Sequence, residues 1–287
     1  MMRSNYSIAS LTAIALVVVW MCAGVTPGTG IYATGVLAGP HVMLDRLLDL
    51  YVRDGFVYYA ALKSDRESLD RYVASLADEP RRFENLSRVE QGAFWINAYN
   101  ALVLRTVIDH YPIKGTLSTY PLHSIRQIPG AFDERFHRIA GRQLTLDGIE
   151  KLALRLLRDP RLSLALGRGA VGSGRLRSEA YTAAQLEFQL NAVVQEFSTM
   201  PRGVKLDRFG NTVQVSPIFG WREAEFVAAY NDQGWTNSGR SPLERAILSL
   251  IEPALFPSER AFLTENRFTL GYQEFDWRLN DLTGGRP

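Results

Sequence analysis

The sequence predicts an α+β fold: a helix-rich single domain with a small antiparallel sheet or hairpins, preceded by an N-terminal signal or anchor segment. Three observations carry this. Helix starts are well marked, strand signals are few and short, and strand and helix do not alternate regularly as a doubly wound parallel sheet requires. Of the 287 residues, 46% are hydrophobic and 22% charged, enough apolar mass for one sizeable core.

At the N-terminus, Arg3 precedes an apolar run from Ile8 to Val25 broken only by the small polar residues Ser10 and Thr12. A basic start, an apolar segment and then small residues read as a secretory signal. A run of this length also approaches the roughly 18 to 20 residues that span a bilayer. Two readings therefore stand for residues 1–25, a cleaved signal peptide or a retained anchor. Both make the domain exported, in the periplasm or another extracytoplasmic space, either soluble or anchored by residues 8–25. Residues 26–40 (TPGTGIYATGVLAGP) form a Gly/Pro/Thr-rich linker. The globular domain spans 41–282, and 283–287 are a tail.

Within the domain, Ser64 with Glu67, Ser87 with Glu90, Thr182 with Gln185 and Ser241 with Glu244 fit the capping box. In that motif the hydroxyl accepts from the amide three residues on while the acid or amide side chain reaches back. Pro242 stands at the favoured first helical position. Helices are expected roughly over 41–53, 65–78, 88–110, 146–158, 183–199, 222–231 and 242–252. Strands are expected over 56–60, over 204–206 and 212–215 as a hairpin about Gly210-Asn211, and over 267–272. The segment 88–110 is apolar nearly all round, the signature of a helix buried mid-domain. It carries Asn97 and Asn100, one turn apart on one face. Buried amides need partners, which leaves two readings: a structural hydrogen-bond network or a ligand-facing polar strip.

Charge excludes little else. Lys and Arg number 32 against 30 Asp and Glu, a net +2, with no basic bias that would suggest nucleic acid. The single cysteine, Cys22, lies inside the apolar run. Downstream of it there is no disulfide, thiolate nucleophile or Cys-ligated metal. No metal and no cofactor is expected, and the spacing of His123 and His137 matches no familiar site. His110 ends the apolar helix, where a cation favours the macrodipole and a capping role. Gly167, Gly169 and Gly172 spell G-x-G-x-x-G, but Ser173-Gly174-Arg175 continues the loop, and a dinucleotide turn must open a helix directly. Trp221, Phe275, Asp276 and Trp277 read as core and edge packing. Membrane contact is expected only through the N-terminal segment, if uncleaved, and the partner is a small molecule or a protein.

The blocks GFVYYAALKSDRESLDRYVASL, FWINAYNALVLRTVIDHYP, AGRQLTLDGIEKLALR, SPIFGWREAEF and FDWRLN occur in this order between about His41 and Asp281. Together they resemble the domain-of-unknown-function family 547, widespread in bacteria. Where that family usually reads Ile-Glu-His, this chain has Ile149-Glu150-Lys151. Where it usually carries a second histidine, Ser163 stands. The positions of its two loop cysteines hold Arg168 and Ser173, and its Pro-Pro is Gly174-Arg175. Clustered Cys and His suit thiol catalysis or a soft metal. The resemblance thus implies a member whose site is degenerate, a non-catalytic domain that binds a ligand or partner or serves as a scaffold. Its ligand-binding candidates are Asn97, Asn100, Lys151, Ser163, Arg168 and Arg175. The alternative is a hydrolase or transferase in the same pocket, acting through Ser173 and Glu150 with Asn97 and Asn100. Convergence of Lys151, Ser163, Arg168 and Ser173 on Asn97 or Glu150 would mark a real site, and scattering would remove both readings.

Overall fold

The computed structural model describes residues 41–77, 83–236 and 238–284. The expected signal or anchor at 1–25 and the linker at 26–40 lie outside the described residues. Among these residues no helix is long and apolar enough to cross a membrane.

The described chain opens with α1 (Val42–Tyr51), which buries Leu44, Leu47, Leu48 and Tyr51. β1 (Val52–Arg53) and β2 (Phe56–Val57) form a hairpin across Asp54 and Gly55, both at positive φ. That backbone is what a two-residue hairpin turn demands, and Asp-Gly supplies it. α2 (Tyr59–Ser64) and α3 (Glu67–Ala77) lead to the long α4 (Arg88–His110). A second hairpin, β3 (His137–Ile139) with β4 (Arg142–Leu144), turns at Ala140-Gly141 and precedes α5 (Leu146–Leu157), α6 (Arg161–Ala165) and α7 (Leu186–Thr199). β5 (Val204–Asp207) and β6 (Thr212–Val215) make the third hairpin. Then follow α8 (Ile218–Trp221), α9 (Glu223–Tyr230), α10 (Pro242–Ile251), α11 (Pro257–Thr264) and β7 (Thr269–Tyr272).

α4 is the hub. Trp95, Ile96, Ala98, Tyr99, Ala101, Val107 and Ile108 are all fully buried, so the helix is covered nearly all round, with Arg105 and Asp109 reaching the surface. It packs against α2, α3, α5 and α7. Its start is fixed by a complete capping box: Ser87 Oγ accepts from the Glu90 amide while Glu90 accepts from the Ser87 amide at 2.8 Å. Ser241 and Glu244 repeat the device at α10, with Pro242 in the first turn. This is the expected helix-rich α+β architecture with small hairpins.

Several details differ from expectation. The three-stranded sheet runs β5-β6-β7, and β7 joins β6 in parallel, so this sheet is mixed. The strand expected over 56–60 ends at Val57, because Tyr59 and Leu62, three residues apart, are both buried along α2. Ser64 does not cap α3; its hydroxyl donates to the Ala60 carbonyl and closes α2. Nor does Thr182 cap α7, which starts after Gln185 without a side-chain cap. The β3–β4 hairpin escaped the sequence because Ala140 is a poor left-handed residue. It is held at φ 46°, with its amide bonded to the Leu76 carbonyl at the end of α3.

Candidate functional site

The site begins with one charged residue on an apolar stripe. In α5, Leu146, Ile149, Glu150 and Ala153 share the buried face at helical spacing. Thr145 sets that face by capping the Gly148 amide. A carboxylate there must be paired, and two arginines pair it. Arg168 Nη2 lies 2.6 Å from Glu150 Oε1, with the two side chains 5% and 2% exposed. Arg222, from the start of α9, places Nε 3.0 Å from Oε1 and Nη2 3.0 Å from Oε2, a forked contact. Burial alone would raise the Glu150 pKa; the Arg168 and Arg222 charges outweigh it and hold the carboxyl below its usual range. The Ser163 hydroxyl faces the same carboxylate and adds to this pull without closing a hydrogen bond of its own.

Arg168 is spent in full view of the loop that carries it. Its Nη1 donates to the Ser163 and Leu166 carbonyls at 3.0 and 3.3 Å, and its own amide donates to Ser173 Oγ at 3.0 Å. Its guanidinium also lies 5.9 Å from the Trp221 ring. Asn100 clips the same loop to α4, accepting from the Gly167 amide at 2.8 Å and donating to the Ala165 carbonyl. One turn earlier, Asn97 accepts from the Tyr181 amide and donates to the Tyr181 carbonyl, at 2.9 and 2.8 Å. Both amides therefore bind backbone.

The glycines of this loop serve close approach. A Cβ at Gly172 would come within 2.7 Å of the Asp276 amide, and one at Gly174 would overlap the Leu164 carbonyl oxygen at 1.6 Å. Beside the loop runs a C-terminal strap. Val171 and Gly172 donate to the Arg278 and Asp276 carbonyls at 2.8 Å, and Asn280 receives the Tyr59 hydroxyl at 2.7 Å. The strap brings Phe275 and Trp277 against Trp221, with ring centroids 4.9 and 6.1 Å away. Trp221 is 42% exposed, and Phe275 and Trp277 are half-buried. Phe275 and Trp277 pack against the core, as the sequence reading of core and edge packing had them, and Trp221 beside them in this aromatic wall is partly open to solvent, with Arg168 behind it.

The structure brings together Glu150, Ser163, Arg168, Ser173 and Asn100, with Asn97 one helical turn along α4. It leaves out Lys151, which is exposed one residue round α5, and Arg175, which bonds Asp54 on the surface at 3.1 Å. The other loop cation, Arg177, is paired with Glu179 and Glu196. Sequence reasoning missed Arg222, far along the chain, and Tyr99. The Tyr99 hydroxyl is buried without a hydrogen-bond partner among the described residues. Burial pushes its pKa up and the Arg168 charge draws it back. The Trp-Arg dipeptide within SPIFGWREAEF was the available signal for Arg222.

The histidines have other work. His110 Nδ1 lies 2.9 Å from the Thr106 carbonyl, capping α4 as expected of its place. Its Nε2 meets Arg135 Nη2 at 2.8 Å. His123 Nδ1 meets the Ile113 carbonyl, and His41 Nδ1 the Tyr72 hydroxyl. Among the described residues no three His, Cys, Asp or Glu side chains are grouped to hold a metal ion.

Comparison with known proteins finds one family. The model described as "Protein of unknown function, DUF547" matches residues 83–197. That span takes in α4, Glu150, the 167–175 loop and most of α7, while Arg222, the aromatic wall and the strap lie beyond it. Searches of the curated proteins and of the solved structures return no match. Residues 83–197 of the chain thus match a DUF547 domain.

Proposed function

We propose that this chain is an exported, non-catalytic domain that binds a ligand or partner, its former Cys/His site closed by an arginine. The observation that carries the reading is the bracketing of Glu150, whose two oxygens are held by Arg168 and Arg222. A general base needs a free lone pair and a pKa near the working pH. Glu150 is shifted the opposite way, and both of its oxygens are held by arginine. The resemblance puts Arg168 and Ser173 at the cysteine positions, so the side chain that replaces one of them fills the centre with its own guanidinium. Ser173 accepts a backbone amide where a nucleophile would need a base. Asn97 and Asn100 are committed to backbone. The hydrolase or transferase reading through these four residues loses its base and its hydrogen-bond donors together. What remains open to a ligand is the half-exposed wall of Trp221, Phe275 and Trp277.

The test is turnover of acyl-ester, thioester and amide reporters by the wild-type chain beside Ser173→Ala and Glu150→Gln. Wild-type rates equal to the blank are expected. A wild-type rate that either variant abolishes overturns the reading. Export rests on Arg3 and the run from Ile8 to Val25. Expressing the whole chain and fractionating the cells checks it, and retention in the cytoplasm refutes it.

A further inference from the structure

On either side of Trp221 stands a polar group that the fold does not use. Tyr272, at the end of β7, is 49% exposed and lies against α8: a Cβ at Gly220 would come within 3.0 Å of the Tyr272 hydroxyl. That hydroxyl bonds no described residue. On the other side, the Asp147 amide donates to the Phe132 carbonyl at 2.9 Å, and the Phe132 ring lies 6.0 Å from Trp277. The Asp147 carboxyl is half-buried, yet it makes no hydrogen bond and no ion pair with a described residue. Burial raises its pKa, Glu150 adds to the rise, and Lys151 and Arg222 oppose it. Acceptors buried to this degree ordinarily have a donor. For Asp147 the donor has to come from outside the chain.

The ring faces and the charges around them select the ligand. Phe275 and Trp277 hold the Trp221 ring from one side, Trp277 nearly parallel to it at 21°, and leave its other face open. Arg126, Arg168 and Arg222 stand at the wall against Asp147, Glu150 and Glu223, so neither sign is in excess. Two rings already carry a guanidinium, Arg126 at 5.1 Å from Trp277 and Arg168 at 5.9 Å from Trp221. A cationic ligand would be repelled by these groups, and a nucleotide or an anionic lipid would bring its phosphate to Asp147 and Glu223. A sugar ring meets neither obstacle. It is uncharged, its C–H face is apolar enough to lie on an indole, and its rim of hydroxyls donates to carboxylates and to a phenol oxygen.

We propose that Trp221, Tyr272 and Asp147 bind a neutral glycan, which rests on the reading that leaves this wall open to a ligand and adds the ligand's class. One sugar ring lies on the Trp221 face and donates a hydroxyl to Asp147, while Tyr272 meets the adjoining unit.

The test is affinity electrophoresis of the full chain in native gels cast with hydroxyethyl cellulose, glycogen or glycol chitin, beside anionic polygalacturonate. At least one neutral polymer should retard the wild type, and polygalacturonate should not. Trp221→Ala should weaken the retardation by about tenfold or more in Kd, as truncation of a stacked tryptophan does. Asp147→Asn should weaken it by about fivefold, the worth of one hydrogen bond. Circular dichroism checks each fold. Should Trp221→Ala unfold, Tyr272→Ala, at an exposed position, takes its place. No retardation by any neutral polymer overturns the proposal, as does equal retardation by polygalacturonate or by the variants. Reducing ends released from a retained polymer would refute the non-catalytic reading and leave the glycan site standing. No retardation and no turnover would do the reverse.

Discussion

At residue scale, Glu150 shows how one buried charge organises its surroundings. Removing one partner of a buried ion pair costs roughly 3 to 5 kcal/mol, because the charge left behind is uncompensated. Arg168→Ala should fall at the lower end of that range, since Arg222 still grips both carboxylate oxygens. Urea unfolding measures it. A loss under about 1 kcal/mol would mean water reaches Glu150 freely. Added guanidinium at millimolar concentration should restore part of the loss in the variant alone. Glu150 was reached in the sequence only through the family resemblance, and Asn97 and Asn100 as amides on one face of an apolar helix. Arg222 was not, because it comes from 72 residues away and no local pattern reveals a partner at that separation.

At the scale of elements, the sequence announced those whose signals are chemical. The Ser87 and Ser241 boxes formed with Glu90 and Glu244, where an apolar segment waited to be buried. The Ser64 and Thr182 motifs have the same letters and did not form. At Ser64 a short helix ends and takes the hydroxyl; at Thr182 the amide is claimed by Gln189. The short helices α2, α6, α8 and α11 went unforeseen because they are too brief to show a period of their own. Ser87→Ala should cost about 1 kcal/mol, a typical N-cap loss. A fall in Tm checks this, and an unchanged Tm would mean that packing alone defines the start of α4. The hydroxyl is exposed and touches no other element, which makes it a clean probe.

At the scale of the whole molecule, acid should unfold the chain in two stages. His137 is held neutral: burial lowers its pKa, and the Arg135 and Arg105 charges lower it further. A depressed pKa means that the unfolded chain takes the proton first. Stability is therefore whole above about 6.5, the ordinary histidine value, and declines as the pH falls below it. Glu150, also depressed, adds a second decline below about 4.5, its ordinary value. Glu150→Gln should flatten the lower stage and leave the upper one, as read from urea midpoints across pH 3 to 8. If the lower stage persists in the variant, other carboxylates dominate it.

The strap from 275 to 282 closes the fold by joining regions distant in sequence. Asn280 Nδ2 reaches the Gly55 carbonyl, 225 residues away, and the Asp281 segment bridges to Val57. Non-local contacts of this kind form late and slow folding. A chain made from its N-terminus therefore holds an incomplete domain until the strap emerges. Ending the chain at Glu274 should then leave a product that limited proteolysis cuts throughout 41–77, while the full chain resists.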